Sequence, residues 1–343
     1  MTTRAPHTPR FDSPRPPVLL ESAFEDPESI HRLVHANAPY WEIMRYLATP
    51  QELAAVSRSP RSAPRFLPPW FRGDWAYDEP LVPGAETILE NPRFIEAART
   101  LFDAEVVRPN VVYVNLMAPL SFAGEGHIDV PAFRGIDRRE FPIWLLQQMS
   151  RSGLFADWQI DIATAVSWFY EGDGGAFDYW AEGPTAPPRT LQPPFSNRAV
   201  VGDNDFMFHR VGTVGEVTKT LEAGLESELM PAPDDSGDWI VRDRDEEIAR
   251  YPYEAIRISV SWKAEVFADD EARRVREEHL DDLTLDGVVE RFLADLSDRG
   301  LAIERPADPL EDADFMAALS DVYRIPDLVY PTAEETTRKA SVA

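Results

Sequence analysis

The period at which apolar residues recur changes twice along the chain. In residues 27–58 and 86–105 they return every three or four positions, which is the period of an amphipathic helix. From there to residue 267 they alternate with polar residues, as in strands with two different faces. A helical period returns in the acidic stretch 269–320. Helices, then about seven short strands, then helices predict a mainly β fold with flanking helices, a sandwich or jelly roll.

Prolines divide the predicted helical N-terminal part. Pro39 splits the segment 27–58 into two predicted helices. Residues 59–84 contain six prolines along with Trp and Phe residues, which predicts an irregular loop and, beside a catalytic centre, a lid. Residues 86–105 predict a further helix. The Pro-, Arg- and Thr-rich residues 1–18 predict a flexible arm.

The strand patterns define the expected core. Ile256 to Phe267 alternates most clearly, with Arg257, Ser259 and Ser261 on one face. Other strands are predicted at 111–117, 127–130, 160–170, 177–180, 197–201 and 206–211, and helices at 141–155 and 219–229. The predicted regions are therefore a flexible arm (1–18), a helical N-terminal region with a Pro-rich loop (19–108), a β core (109–267) and an acidic helical C-terminal region (268–343), with 19–330 as one compact unit.

Composition narrows the chemistry. The 343 residues are 44% hydrophobic, which allows a large core. The chain has no cysteine and six histidines, so a metal must be held by His, Asp or Glu. The net charge of −26 disfavours binding to nucleic acid or anionic membranes, and an anionic substrate requires local arginines that overcome this field. The N-terminus has no apolar signal-peptide core, so a cytoplasmic location is expected.

An H-x-D motif carries the strongest chemical signal. In a strand, His127 and Asp129 point to the same face, so imidazole nitrogen and carboxylate oxygen can bind one metal. His209, in the strand-like run 206–211, is the candidate third ligand. Two His and one carboxylate leave three octahedral positions open, as in non-heme Fe(II) oxygenases. An H-x-D alone is weak evidence because a single strand His is more often structural.

Three further features accompany this motif: the sequence GDGGAFDYW between the two ligand segments, Arg-Val-Gly-Thr-Val-Gly after His209, and the strand that begins Arg257-Ile258-Ser259. Together they resemble the Fe(II)/2-oxoglutarate-dependent dioxygenase superfamily, in particular its prolyl-hydroxylase-like branch, over residues 110–267. The resemblance implies a double-stranded β-helix and Fe(II) held by His127, Asp129 and His209. It also implies that Arg257 binds the distal carboxylate of 2-oxoglutarate, with Ser259 beside it.

The spacing departs from the family pattern at one point. Arg257 follows His209 by far more residues than the dozen or so that the family shows. Either residues 216–253 are an insertion between the last two strands, or another cation, Arg210 or Lys219, serves instead. Arg210 adjoins His209 and points to the opposite face of a regular strand. Arg257 is preferred because a guanidinium pairs with a carboxylate through two hydrogen bonds.

Weaker candidates complete the predicted site. Tyr113 and Asn115 share one face of the strand before H-x-D and suit contacts with the cosubstrate, although an ordinary polar pair explains them equally well. Trp168, Tyr179 and Arg210 are candidate substrate contacts, with a core role as the alternative for the aromatics. Arg134, Arg138 and Arg139 either meet an acidic substrate or form a solvated loop.

These residues predict an oxygenase that uses Fe(II), 2-oxoglutarate and O2 to hydroxylate, desaturate or cyclise a small molecule. Asp129 disfavours halogenation, because related halogenases have a small residue there. Two alternatives stay open. A cupin-like isomerase or a 2-oxoglutarate-independent oxygenase uses the same three ligands, and a non-catalytic β-sandwich binding protein uses none of them.

Overall fold

Strands form the centre of the molecule, and most of the helices lie in its N- and C-terminal parts. The computed structural model describes residues 10–47, 69–121, 123–217, 221 and 223–331. Its strands are β1 Val18–Leu20, β2 Tyr40–Glu42, β3 Trp70–Tyr77, β4 Glu79–Pro80, β5 Val106–Met117, β6 Asp161–Phe169, β7 Phe177–Tyr179, β8 Arg189–Leu191, β9 Arg198–Gly202, β10 His209–Val211, β11 Ser227–Pro231, β12 Trp239–Asp243, β13 Glu246–Tyr251 and β14 Arg257–Phe267. Its helices are α1 Glu28–Ala36, α2 Met44–Leu47, α3 Glu86–Leu89, α4 Pro92–Phe102, α5 Ile143–Ser152, α6 Asp270–Glu277, α7 Leu285–Asp298 and α8 Ala313–Val322.

The described strands form a large sheet and a small one. The large sheet has eleven strands in the order β1-β9-β6-β14-β5-β3-β2-β11-β12-β13, with β4 paired to β3. The small sheet has the order β10-β7-β8. After β6 in the large sheet, the chain forms β7 and β8 in the small sheet and returns to the large sheet as β9. It then forms β10 in the small sheet and returns to the large sheet for β11 to β14. This winding is that of a double-stranded β-helix, so the predicted mainly β jelly roll with flanking helices is confirmed.

Strand β14 shows why the sheet separates an apolar layer from a polar one. Ile258, Val260 and Trp262 belong to the core formed with helices α1, α3 and α4. The Trp262 Nε1–H group donates to the carbonyl of Leu89 at 2.7 Å, which ties the strand to α3. The alternate residues, beginning at Arg257, face the space between the two sheets.

Two further clusters surround that space. Met117, Trp168, Phe177, Tyr179 and other apolar residues pack between the large and small sheets. Helices α5, α7 and α8 build a separate core around Phe155 and Phe292. In the described residues, no helix is long and apolar enough to cross a membrane.

The prediction of an irregular loop over residues 59–84 is wrong for much of its described part. Trp70–Tyr77 forms β3, which lies between β2 and β5 in the large sheet. The six prolines misled the prediction because none of them falls within β3, whose sequence is WFRGDWAY. Residues 59–68 lie outside the described part of the chain, and Trp70–Tyr77, which the predicted lid included, is a strand of the large sheet.

The helix predicted over residues 219–229 is also wrong where it can be compared. Ser227–Pro231 is strand β11, which pairs with both β12 and β2. Pairing with β12 across the connection 232–238 overrides the weak helical pattern. Lys219 itself lies outside the described residues. Strands β11 to β13, within the proposed insertion 216–253, extend the large sheet beyond β2.

Candidate metal centre

His127 and His209 are brought together by an antiparallel bridge. The His127 amide donates to the His209 carbonyl at 3.0 Å, and the His209 amide donates to the His127 carbonyl at 2.9 Å. The two imidazole centroids lie 4.6 Å apart. Residues separated by 82 positions in the sequence therefore present their side chains at one place, between the edge of the small sheet and the H-x-D segment.

Both imidazoles are held in the same tautomer. The Nδ1 atom of His127 lies 3.0 Å from the Glu125 carbonyl, and that of His209 lies 3.1 Å from the Met207 carbonyl. Because a carbonyl oxygen only accepts hydrogen bonds, Nδ1 carries the proton in each ring. The lone pair is then on Nε2. Backbone contacts of this kind orient histidines that bind metals.

Asp129 lies beside the pair with its two oxygen atoms in different surroundings. Its amide donates to the Asn204 carbonyl at 2.9 Å, which fixes the backbone. Oδ1 lies 3.7 Å from the Nε2 atom of His209. Oδ2 accepts from Lys263 Nζ at 2.7 Å and from Thr164 Oγ1 at 3.3 Å. Only Oδ1 therefore faces the imidazoles.

The charge states of the cluster suit a cation. Burial and the neighbouring His127 together lower the pKa of His209 to about 4, against the opposing effect of Asp129. His209 is therefore neutral at neutral pH. Burial disfavours the charged form of Asp129, but Lys263 and the two histidines outweigh it and hold the pKa of this carboxyl well below its usual value. The site thus offers the neutral imidazole of His209, the imidazole of His127 and one carboxylate.

Lys263 and Asp205 are parts of this cluster that the sequence did not single out. Burial opposes the charge of Lys263, but Asp129, Tyr113 and Asp205 outweigh it and raise the pKa of the ammonium. Asp205 is 1% exposed, and neither of its carboxyl oxygens has a hydrogen-bond partner within the described ranges. Burial raises its pKa well above the usual value. The only signal in the sequence is that Lys263 continues the alternation of Arg257, Ser259 and Ser261.

A row of polar residues crosses the inner face of the large sheet. Ser259 pairs with Asn115 and Ser261 pairs with Tyr113 across the β14–β5 ladder. The expected sharing of a face by these residues is therefore found. The row begins at Arg257 and ends at Lys263, so it runs from a buried guanidinium to the ammonium that contacts Asp129.

Arg257 is buried and incompletely paired. It is 1% exposed, and its Nε–H group donates to the Gly175 carbonyl at 2.8 Å. Its Nη2 atom is buried and has no hydrogen-bond partner among the described residues. Burial lowers the pKa of Arg257 to about 9, so the group remains charged at neutral pH. A buried charged donor without a partner indicates that an acceptor is missing.

Gly175 shapes this end of the row. Its φ of +72° lies in the left-handed region, and a Cβ atom there would lie 2.8 Å from Arg257 Cδ. Any larger residue would strain the backbone and displace the guanidinium. The third glycine of the GDGGAFDYW sequence is therefore required for the position of Arg257.

The three weaker substrate candidates occupy different surroundings. Trp168 is fully buried between Phe177 and Phe195, with ring centroids 5.0 Å from each. Tyr179 is 3% exposed and pairs with His209 in the small sheet. Arg210 donates to Asp178 Oδ2 at 2.8 Å and lies over the Tyr330 ring, so its side chain points away from the imidazoles.

The side chains of His127, Asp129 and His209 lie farther apart than the ligands of a bound metal ion. Among them, no group of three His, Asp or Glu side chains is close enough together to hold a metal ion. Two ligands at right angles around a metal lie about 3 Å apart, for bonds of about 2.1 Å. The 3.7 Å between His209 Nε2 and Asp129 Oδ1 is close to that value. The donor set, two Nε2 atoms and one carboxylate oxygen, fits the facial triad.

Comparisons with known proteins find similarity only among solved structures. No family model and no curated protein matches the chain. A 2OG-Fe(II) oxygenase family oxidoreductase from Burkholderia pseudomallei is 12% identical, with 65% of this chain and 84% of that chain covered and a TM-score of 0.33. A prolyl-4-hydroxylase from Pseudomonas putida is 14% identical, with coverages of 74% and 93% and a TM-score of 0.35.

A third similar structure contains ligands. HygX from Streptomyces hygroscopicus, with nickel, 2-oxoglutarate and hygromycin B bound, is 10% identical, with coverages of 75% and 84% and a TM-score of 0.35. At these scores the likeness carries no argument about activity, which has to be made from this chain's own residues. The first of these structures is described as a member of the 2OG-Fe(II) oxygenase family, the superfamily that the motifs of this chain resemble.

Proposed function

We propose that the chain is a non-heme Fe(II)/2-oxoglutarate-dependent oxygenase acting on a small molecule. One observation carries the proposal: two imidazoles, each with its Nδ1 atom bonded to a backbone carbonyl, lie beside the carboxylate oxygen Asp129 Oδ1 at one end of a polar row. A buried guanidinium with a missing acceptor, Arg257, lies at the other end. A metal at the first end and a dicarboxylate between the two ends satisfy both sets of groups.

The protein's part in the reaction is to bind and to orient. His127 and His209 would hold the iron through Nε2, and Asp129 through Oδ1. Arg257 would pair with the distal carboxylate of 2-oxoglutarate, with Ser259 on the same face. When bound, iron and 2-oxoglutarate supply O2 activation and the oxidation of a C–H bond.

Water exclusion follows from the apolar walls. Phe177 lies 5.8 Å from the His209 ring, and Trp168 and Phe195 continue the aromatic surface toward Arg257. These rings surround the buried guanidinium with apolar groups, which strengthens the pairing of Arg257 with a carboxylate. A desolvated site also protects reactive species from side reactions with water.

Anaerobic titration of the metal-free protein with Fe(II), followed by 2-oxoglutarate, tests this proposal. The expected result is a weak visible charge-transfer band that requires both additions and is lost in His127→Ala and His209→Ala. Succinate formation with O2 then identifies the cosubstrate. Iron binding without the band would overturn the use of 2-oxoglutarate and favour a cupin-like enzyme. Absence of iron binding would leave a β-sandwich binding protein.

A further inference from the structure

Two arginines converge beside the polar row in a chain whose net charge is −26. Arg72 lies on β3, opposite Asn115, and Asp74 lies opposite Tyr113. Arg72 therefore shares the inner face with these residues. Its guanidinium carbon lies 3.6 Å from the centroid of the Tyr113 ring and 5.4 Å from that of Tyr46. The aromatic rings hold the cation in a fixed place, with its side chain 13% exposed.

Arg138 reaches the same place from the loop that follows Asp129. Its Nη2 group donates to the Tyr46 carbonyl at 2.8 Å. Both guanidinium groups therefore contact Tyr46, Arg72 at the ring and Arg138 at the backbone carbonyl, so two like charges lie in one place. In agreement with this, burial and the positive charge of Arg72 lower the pKa of Arg138. Like charges held together in this way are stabilised by an anion between them.

The protein itself supplies only part of the negative charge that would balance these two arginines. Asp74 Oδ1 accepts from Arg72 Nε and lies 2.8 Å from its Nη2 atom. Arg138 has no carboxylate within ion-pair distance in the described part of the chain. Its neighbour Arg139 behaves differently, since it pairs with Asp137 through several hydrogen bonds. The cluster of two arginines and one aspartate therefore keeps a net positive charge.

The cluster lies beside the candidate metal centre. Tyr113, under Arg72, pairs with Ser261 on β14 and contributes to the electrostatic environment of Lys263. Lys263 contacts Asp129 Oδ2. Strands β14 and β3 are separated by β5 alone, which places them roughly 10 Å apart. A small molecule can span this distance.

We propose that Arg72 and Arg138 form an anion site that holds a carboxylate or phosphate group of the substrate oxidised at His127, Asp129 and His209. Guanidinium groups suit either oxyanion because they donate parallel hydrogen bonds. The substrate is then an anionic small molecule, whose charged group lies away from the carbon that reacts. The identification as a substrate site rests on the proposed function, whereas the anion site itself does not.

Phosphate binding to the metal-free full chain tests the anion site. Inorganic phosphate, followed by ³¹P line broadening, is expected to bind saturably to the wild type and at least about tenfold more weakly to Arg138→Met. The matched control Arg139→Met, one residue along the same loop, is expected to bind phosphate like the wild type. No saturable binding, or the same loss in both variants, would overturn the anion site. Acetate, used as a competitor, tests whether a carboxylate occupies the same site.

A second arm tests the relation to the metal centre. In Mn(II)-loaded protein, bound phosphate is expected to show enhanced ³¹P relaxation without being displaced by 2-oxoglutarate. Displacement would assign Arg138 to the cosubstrate, and unenhanced relaxation would place the anion far from the metal, so either result would overturn the substrate role. If the Fe(II)/2-oxoglutarate band is absent while phosphate still binds through Arg138, the oxygenase proposal fails and the anion site stands.

Discussion

Replacing Arg257 by Met distinguishes a residue that binds a ligand from one that stabilises the fold. The guanidinium is buried, donates one hydrogen bond to the Gly175 carbonyl and leaves Nη2 without a partner among the described residues. Methionine keeps much of the apolar stem and removes the charge. We expect Arg257→Met to abolish tight binding of 2-oxoglutarate while the free energy of unfolding stays the same or rises.

The magnitudes follow from the environment of the guanidinium. Burial lowers its pKa from 12.5 to about 9, which corresponds to a destabilisation of the charged form by about 5 kcal/mol. The hydrogen bond to Gly175 returns about 1.5–3 kcal/mol. Arg257→Met removes both the cost of burying the charge and this hydrogen bond, so the folded variant should be no less stable than the wild type. A bound carboxylate, by contrast, would lose about 3 kcal/mol or more of charge-assisted pairing, which weakens its affinity at least about 100-fold.

Unfolding measured with and without 2-oxoglutarate, in Mn(II)-loaded protein, provides the assay. At 100 times the dissociation constant, a ligand that binds only the folded state adds about 2.7 kcal/mol. After a 100-fold loss of affinity, the same concentration adds about 0.4 kcal/mol. Arg198→Met is the matched control, because Arg198 lies on β9 and pairs with the exposed Glu21. The Arg198→Met variant should keep the full gain in the free energy of unfolding that 2-oxoglutarate gives the wild type.

Two opposite results would refute this reasoning. A loss of more than about 3 kcal/mol in the free energy of unfolding would show that Arg257 is structural, because the hydrogen bond to Gly175 accounts for no more than that. An unchanged 2-oxoglutarate increment in Arg257→Met would show that another cation binds the carboxylate. Neither outcome bears on the three proposed metal ligands, so the role of Arg257 is tested separately from metal binding.

Two other buried charges give predictions of their own. Lys263→Met leaves Asp129 without its cation and should lower the free energy of unfolding of the metal-free protein by about 3–5 kcal/mol. Mn(II) should then raise the melting temperature of this variant more than that of the wild type or of Lys263→Arg. An equal rise in all three proteins would contradict the idea that the metal and Lys263 share this carboxylate. Burial raises the pKa of Glu42 to about 7, so the folded state holds the proton more tightly, and stability should fall by roughly 3 kcal/mol as pH rises from 4.5 to 7. Glu42→Gln should remove that part of the decline in urea unfolding at pH 5 and pH 8, and parallel curves for the two proteins would rule the assignment out.

The sequence predicts those parts of the site that depend on local alternation. Successive residues of a strand face opposite sides, so the alternation alone places Arg257, Ser259 and Ser261 on one face. The same rule places Tyr113 and Asn115 together, and the ladder puts them opposite Ser261 and Ser259.

The sequence could not show contacts that depend on how the strands are arranged. Lys263 is separated from Asp129 by 134 residues, and only the register of β14 beside β6 brings its ammonium to the carboxylate. Strand β3 was mistaken for part of a loop, because proline content dominated the pattern on both sides of it. That error concealed Arg72, whose position depends on pairing between β3 and β5.

The way Asp129 is held bears on the class of reaction the site can support. Lys263 and Thr164 both occupy Oδ2, so Oδ1 alone faces His209. The carboxylate can then fill one coordination position, and with two imidazoles three of the six octahedral positions remain open. Three is the number needed for a cosubstrate that chelates through two atoms and for O2. An aspartate with both oxygens on the metal would leave two. Lys263, which the sequence did not mark, therefore favours the oxygenase over a site with fewer exchangeable positions.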